Sequence, residues 1–198
     1  MTETNMITSN PYDGERRAGT VGQPLDGVEV RLTDAETGDE IAPGEVGMIE
    51  VRGPNVFKGY WQMPEKTAEE LRDSGFFITG DLGQMSDDGY LSIVGRAKDL
   101  IITGGYNVYP KEIEDVLNDI DGVTESAVFG VADADFGEAI IAAVVPDPGV
   151  TLEPEALARV VADRLARFKH PRRYEILAEL PRNTMGKVQK NILRRTYG

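Results

Sequence analysis

A change of hydrophobic period inside twenty residues, Gly95 to Glu114, limits this chain's fold more tightly than any other feature of its sequence. The segment reads Gly-Arg-Ala-Lys-Asp-Leu-Ile-Ile-Thr-Gly-Gly-Tyr-Asn-Val-Tyr-Pro-Lys-Glu-Ile-Glu. Arg96, Lys98 and Asp99 crowd before the apolar run Leu100 to Ile102, which reads as a short buried strand. Gly104-Gly105 then gives the backbone freedom and so little bulk that another molecule can approach the chain closely. Pro110 suits a first helical position, and Ile113, Val116, Leu117 and Ile120 recur at the spacing of one helix face. A loop anchored by a strand on one side and a helix on the other is well placed to carry function.

On either side of this segment the patterns differ. Met1 to Asp26 is rich in Thr, Asn, Gly and Pro with little periodicity, and reads as loop. From Val28 to Val94, short β-rich runs (VEVRL, VGMIEV, FFITGDLGQM, YLSIV) alternate with Gly, Pro and Asp clusters, so a small barrel or sandwich is expected. Asp87-Asp88-Gly89 is a hairpin turn, and Pro64 to Leu71 a short helix started by its proline. After Lys98 come strands near Ser126 to Val131 and Ala139 to Val145. A second helix is expected from Pro154 to about Phe168, with Leu157, Val160, Val161, Leu165 and Phe168 on one stripe. The whole reads as α+β: a β-rich, barrel-like part followed by a small α+β domain.

Composition removes several classes of function. The 198 residues can form one medium domain or two small ones, and a hydrophobic content of 40% is ample for a packed core. With 34 acidic against 21 basic residues the formal charge is -13, which repels a phosphate backbone, so no nucleic-acid partner is expected. The absence of cysteine excludes disulfides, thiolate nucleophiles and Cys-based metal sites. His170, the only histidine, lies before Pro171 and reads as structural. No apolar run is long enough to span a bilayer and no signal-peptide pattern opens the chain, so no membrane partner and a cytoplasmic location are expected.

Two motifs suggest chemistry. A strand ending in Thr79-Gly80-Asp81 can project a carboxylate that accepts from both hydroxyls of a ribose, although such a tripeptide is also an ordinary turn. Gly186-Lys187 is not a phosphate loop of the Walker kind, because no glycine lies five residues earlier and Val188 replaces the Ser or Thr. Arg167, Lys169, Arg172 and Arg173 cluster on an otherwise acidic chain, where they either meet anionic phosphates or simply close a helix end.

Four ordered blocks carry a resemblance: GEVGMIEVRGPNVFKGYW from Gly44, FFITGDLG from Phe76, GRAKDLIITGGYNVYPKEIE from Gly95, and LPRNTMGKVQK from Leu180. The chain resembles the adenylate-forming family of acyl-CoA synthetases, adenylation domains and luciferases. With MTETNMITSNPYDGERRAGTVG added, it is most similar to the malonyl-CoA synthetase branch. The resemblance implies ATP, AMP, Mg²⁺ and coenzyme A as cofactors, with malonate or methylmalonate as the carboxylate. Other acyl- or aryl-CoA synthetases, carrier-loading adenylation domains and an inactive module are the alternatives.

It implies that residues 1–97 are the end of a larger AMP-binding domain, begun part-way, and that residues 98–198 are a mobile C-terminal domain. By the same resemblance Asp81 and Arg96 hold the nucleotide, Thr2 its phosphate and Glu3 the Mg²⁺. Lys98 is the hinge, Gly104 and Gly105 line the channel for the pantetheine arm, and Lys187 is the catalytic lysine on a mobile loop. Thr2 and Glu3, close to a chain end, are expected to fray. Lys187 is further expected to be a target of a lysine acetyltransferase, which would remove its charge.

Overall fold

The computed structural model describes every residue from Met1 to Gly198. The chain divides into two compact units, Met1–Lys98 and Asp99–Gly198.

In the first unit, β1 (Thr8–Ser9) and β2 (Gln23–Pro24) form a small ribbon. β3 (Glu29–Thr33), β4 (Val46–Arg52), β5 (Phe77–Met85) and β6 (Leu91–Arg96) then make an antiparallel meander in chain order. The meander stays open, with β3 and β6 at its edges, so the expected barrel-like part does not close into a barrel. Leu32, Ile49, Val51 and Leu91 form its core. Gly89, at φ 82°, turns the hairpin between β5 and β6, which Ser86 and Tyr90 close by hydrogen bonding. α1 (Pro64–Glu70) starts at its proline, as expected, and ends where Leu71 becomes extended.

Glu50 is the buried charge of this unit. Its side chain is fully shielded, and it accepts hydrogen bonds from Arg31, Thr33 and Arg72. Burial opposes its charge, but the bonds from Arg72, Arg31 and Thr33 outweigh that penalty and hold its pKa below the ordinary carboxylate value.

The second unit is built on β7 (Ile101–Thr103), β8 (Tyr106–Val108), β9 (Val123–Asp133), β10 (Gly137–Pro146) and β11 (Arg173–Ile176). β10 is the central strand, antiparallel to β9 and β7 and parallel to β11. Its apolar run from Ala139 to Val145 is buried on both faces, the mark of a strand covered from both sides. On one face α2 (Pro110–Asn118) and α3 (Pro154–Arg164) bury Ile113, Leu117, Leu157 and Val161 against Val128, Ile140, Ala142 and Val144. On the other, Leu193 of α4 (Lys190–Tyr197) packs with Leu180 against Phe129, Ile141 and Ala143. β8, β11 and α4 are absent from the sequence-based expectation.

α3 is shorter than its periodicity suggests. Leu165 turns extended, and its carbonyl pairs with Nε2 of His170 at 2.9 Å instead of continuing the helix. Phe168 therefore leaves the buried stripe, stays partly exposed and stacks on Tyr106, with ring centroids 4.6 Å apart. His170 has the structural role expected of it.

Candidate active-site elements

Asp81 and Arg96 lie directly opposite each other on β5 and β6, and Nε of Arg96 meets the Asp81 carboxylate at 3.1 Å. Thr79 fixes the approach: its hydroxyl donates to the carbonyl of Ile49 at 2.9 Å and accepts the Asp81 amide at 3.1 Å. Gly80, inside β5 where the pairing with β4 shifts register, takes φ 73°, in space where a Cβ would touch nothing. The guanidinium is half exposed, so the pair presents both charge signs at one surface. A ribose, which offers donors to the acid, next to a phosphate, which accepts from the arginine, matches that arrangement.

Glu3 and Thr4 contact the rest of the first unit. The Glu3 carbonyl accepts the Phe57 amide at 2.8 Å, and the Tyr60 hydroxyl lies 3.3 Å from the Glu3 carboxylate and 2.5 Å from that of Glu70. Thr4 is fully buried, while Thr2 is exposed. Burial chiefly, with the negative charges of Glu70 and Glu3 beside it, pushes the Tyr60 phenol well above its ordinary value. No group of three or more acidic or histidine side chains is gathered to hold a metal ion. Mg²⁺ is nonetheless commonly bound by one or two carboxylates, with water and substrate phosphates completing the shell. Glu3, partly exposed, fits that donor role.

Lys98 is the last residue of the first unit, exposed in a 3₁₀ turn, Ala97–Asp99. Asp99 opens the second unit and is held there by Arg194 of α4 at 3.0 Å.

Gly104 and Gly105 are the two central residues of the β7–β8 hairpin, between the paired Thr103 and Tyr106. Their φ values, 56° and 81°, are those of a type I′ turn, so the hairpin alone already demands glycine-like residues. A Cβ on Gly104 would also come within 3.3 Å of the Phe136 ring.

Beside this turn lies a cavity of about 690 Å³, lined by Gly104, Tyr106, Phe136, Arg167, Phe168 and Arg172 among others. Its size is that of a site for a sizeable organic ligand. The Gly104 amide donates to the Phe136 carbonyl at 2.8 Å, and the Arg172 guanidinium sits 4.4 Å from the Phe136 ring centroid. Of the basic cluster, Lys169 pairs with Glu112, Arg172 with Asp133 and Arg173 with Glu175, whereas Arg167 makes no ion pair. The aromatic walls are not legible in the periodicity of the sequence: Tyr106 and Phe136 lie outside any apolar period, and Phe168 falls on the stripe expected to be buried. Their one legible signal is exposure of aromatics beside the double glycine.

Lys187 stands exposed on a tight turn between Arg182 and Val188, which form an isolated bridge. The turn is organised by Asn183. Its side-chain oxygen accepts the amides of Met185 at 3.0 Å and Lys187 at 2.9 Å, and its own amide donates to the Lys187 carbonyl at 2.9 Å. Gly186 supplies the positive φ, 78°. An asparagine that bonds its own turn is recognisable from Asn-Thr-Met-Gly as turn chemistry. Lys187 and Gly104-Gly105 therefore sit on two separate turns of the second unit. Asp81, Arg96 and Glu3 belong to the first.

The chain belongs to the AMP-binding enzyme family. The AMP-binding enzyme model matches residues 1–61 and that of the AMP-binding enzyme C-terminal domain matches residues 112–187, together well over half of the chain. The chain is similar to the long-chain-fatty-acid–CoA ligase of Bacillus subtilis, at 40% identity over 98% of this chain and 34% of that protein. It is likewise 41% identical to the malonate–CoA ligase of Arabidopsis thaliana, over 99% of this chain and 33% of the relative. Among solved structures, ATP-bound MatB from Rhodopseudomonas palustris matches at 60% identity with a TM-score of 0.93, over all of this chain and 39% of that one. The chain thus spans about a third of the length of the ligases it matches. No helix is long and apolar enough to cross a membrane.

Proposed function

We propose that this chain acts as the C-terminal part of an AMP-forming acyl-CoA ligase that activates a short dicarboxylate, malonate or methylmalonate. The observation that carries the reading is the cavity beside Gly104-Gly105. Its apolar aromatic walls suit a pantetheine arm, and Arg167 is a cation free to meet phosphate. The dicarboxylate is supported by the resemblance of the motifs to the malonyl-CoA synthetase branch and the 41% identity to a malonate–CoA ligase.

In the first half-reaction a carboxylate oxygen attacks the α-phosphorus of ATP and pyrophosphate leaves. Asp81 accepts from the ribose hydroxyls, Arg96 offsets phosphate charge, and Thr2 donates to a phosphate oxygen. Lys187 brings a compact ammonium to the oxygens on which charge develops and orients the anionic nucleophile. Glu3 would hold Mg²⁺, which supplies charge neutralisation on the polyphosphate. In the second half-reaction the thiol sulfur of coenzyme A attacks the acyl carbonyl, AMP leaves with the bond electrons, and the thiol proton passes to solvent. Phe136, Phe168 and Tyr106 exclude water from the thioester-forming arm. Lys98, at the border of the units, is the residue about which the second unit turns between the steps. Lys187, exposed on its turn, is open to an acetyltransferase, which would abolish the adenylation charge.

The test combines this chain with a separately produced preceding segment and follows AMP release across malonate, methylmalonate, acetate and a fatty acid, with and without coenzyme A. Malonate- and coenzyme-A-dependent AMP release, lost in Lys187→Ala, is expected. Equal release from all four acids would refute the dicarboxylate reading, and release independent of coenzyme A would refute the thioester step.

A further inference from the structure

Lys187 owes its placement to more than its own turn. Arg182, the residue before Asn183, extends one arm of its guanidinium to the Gly186 carbonyl at 2.6 Å, and the other to the carboxylate of Glu125. Glu125 lies on β9, paired in register with Val145 of β10, and so belongs to the long hairpin of the sheet. Besides this fork, the Arg182–Val188 bridge and the Gln189 amide, which donates to the Pro181 carbonyl at 2.8 Å, close the base of the turn, and Leu180 and Val188 pack that base against the core. Those contacts fix the two ends of the turn, not its tip. The tip is where Gly186 and Lys187 sit, exposed, with Met185 beside them 76% exposed and supplying no packing.

We infer that Arg182 is a positioning residue for Lys187: by spanning from Glu125 to the Gly186 carbonyl it ties the tip of the lysine turn to the sheet. This rests on the reading of Lys187 as the adenylation lysine. The physical argument is one of chain length. The ammonium lies at the end of four methylenes, so tilting the turn by about ten degrees displaces it by about 1 Å, and misplacement on the order of 1 Å costs about a hundred-fold in rate. A planar fork with fixed donor directions suits the task because it meets two acceptors at once. A lysine at this position has the charge but not the fork.

The experiment has two arms. In the first, backbone amide order parameters are measured by ¹⁵N relaxation on the 198-residue chain and on Arg182→Met, Arg182→Lys and Glu125→Gln. The wild-type tip, Met185 to Lys187, is expected near the rigid value of about 0.85, and the Arg182→Met tip below about 0.6. Arg182→Lys is expected to resemble Arg182→Met. Glu125→Gln, which keeps an acceptor for the fork, is expected to stay near wild type. Amides of β9 and β10 serve as the control that the unit is folded. An unchanged tip in Arg182→Met, or a rigid tip in Arg182→Lys, overturns the inference.

In the second arm the chain is assembled with its preceding segment, and the two half-reactions are timed separately. Arg182→Met is expected to slow adenylation by about a hundred-fold in kcat with little change in KM for ATP. Thioester formation from supplied acyl-adenylate is expected to stay unchanged. Equal slowing of both steps would mark Arg182 as merely structural and overturn the inference. Should the wild-type assembly lack ligase activity, the functional reading fails while the relaxation arm still decides whether Arg182 holds the turn.

Discussion

Glu50→Gln isolates the one fully buried charge of the first unit. The Glu50 carboxylate accepts four hydrogen bonds, two on each oxygen: Nε and Nη2 of Arg31 at 3.0 and 2.7 Å, and Thr33 Oγ1 and Arg72 Nε at 3.1 and 2.7 Å. Glutamine keeps the shape but turns one oxygen into a donor. The cheaper orientation puts the NH₂ toward Thr33 and Arg72, since the hydroxyl can rotate to accept and Arg72, 38% exposed, can swing to water. One charge-assisted bond is then lost, about 1.5–3 kcal/mol, and those from Arg31 weaken as their acceptor becomes neutral. The total is about 3 kcal/mol, the lower end for breaking a buried pair, because both arginines reach solvent.

That is roughly a hundred-fold rise in the opening equilibrium, read as faster hydrogen exchange of β4 and β5 amides. Amides of β9 and β10 serve as the control within the same chain. The pH dependence has a defined sign. Glu50 titrates below its ordinary value of 4.5 when folded, so its stabilisation is fully present above that pH and is lost as pH falls through the folded pKa. Glu50→Gln should flatten the acid side of the stability curve in that window alone. A rise in exchange of less than about five-fold, or an unaltered acid limb, would refute the argument that the bonds outweigh the burial penalty.

Three further outcomes follow from the geometry. Gly105→Val, at φ 81°, should cost about 1–2 kcal/mol by thermal denaturation, whereas Gly105→Asn should stay near wild type; equal losses would show that space rather than backbone conformation is limiting. Lys187→Ala should leave stability within about 0.5 kcal/mol by denaturant unfolding, because its side chain is exposed and unpaired, and a larger loss would assign it a structural role. Phe129→Ala empties a fully buried site between the sheet and α4, and should cost about 3–5 kcal/mol in the same assay, with a loss under about 1 kcal/mol counting against the packing described.

The legible parts of the fold are those written in local chemistry. Pro64, Pro110 and Pro154 each open a helix. Gly89 turns its hairpin, and the β-rich runs appear as the strands of the meander. Where the periodic signal competed with another local contact, it gave way. The stripe of α3 continues through Phe168 in sequence, but the His170 ring takes the Leu165 carbonyl and the helix stops. β11 and α4, each short, carry no periodic signal long enough to stand out.

The sequence by itself determined where many of the turns fall, where the three proline-started helices begin, and which family its motifs belong to, because capping, positive-φ turns and residue identity act over a few positions. Tertiary structure alone decided which of those residues meet. The β5–β6 register sets Arg96 against Asp81, and the sheet encloses Glu50 between two arginines. The path after α3 carries Phe168 to Tyr106 beside the glycine turn. Such meetings depend on strand register and on the competition of distant groups for the same carbonyl or carboxylate, and neither is encoded in any one stretch of residues.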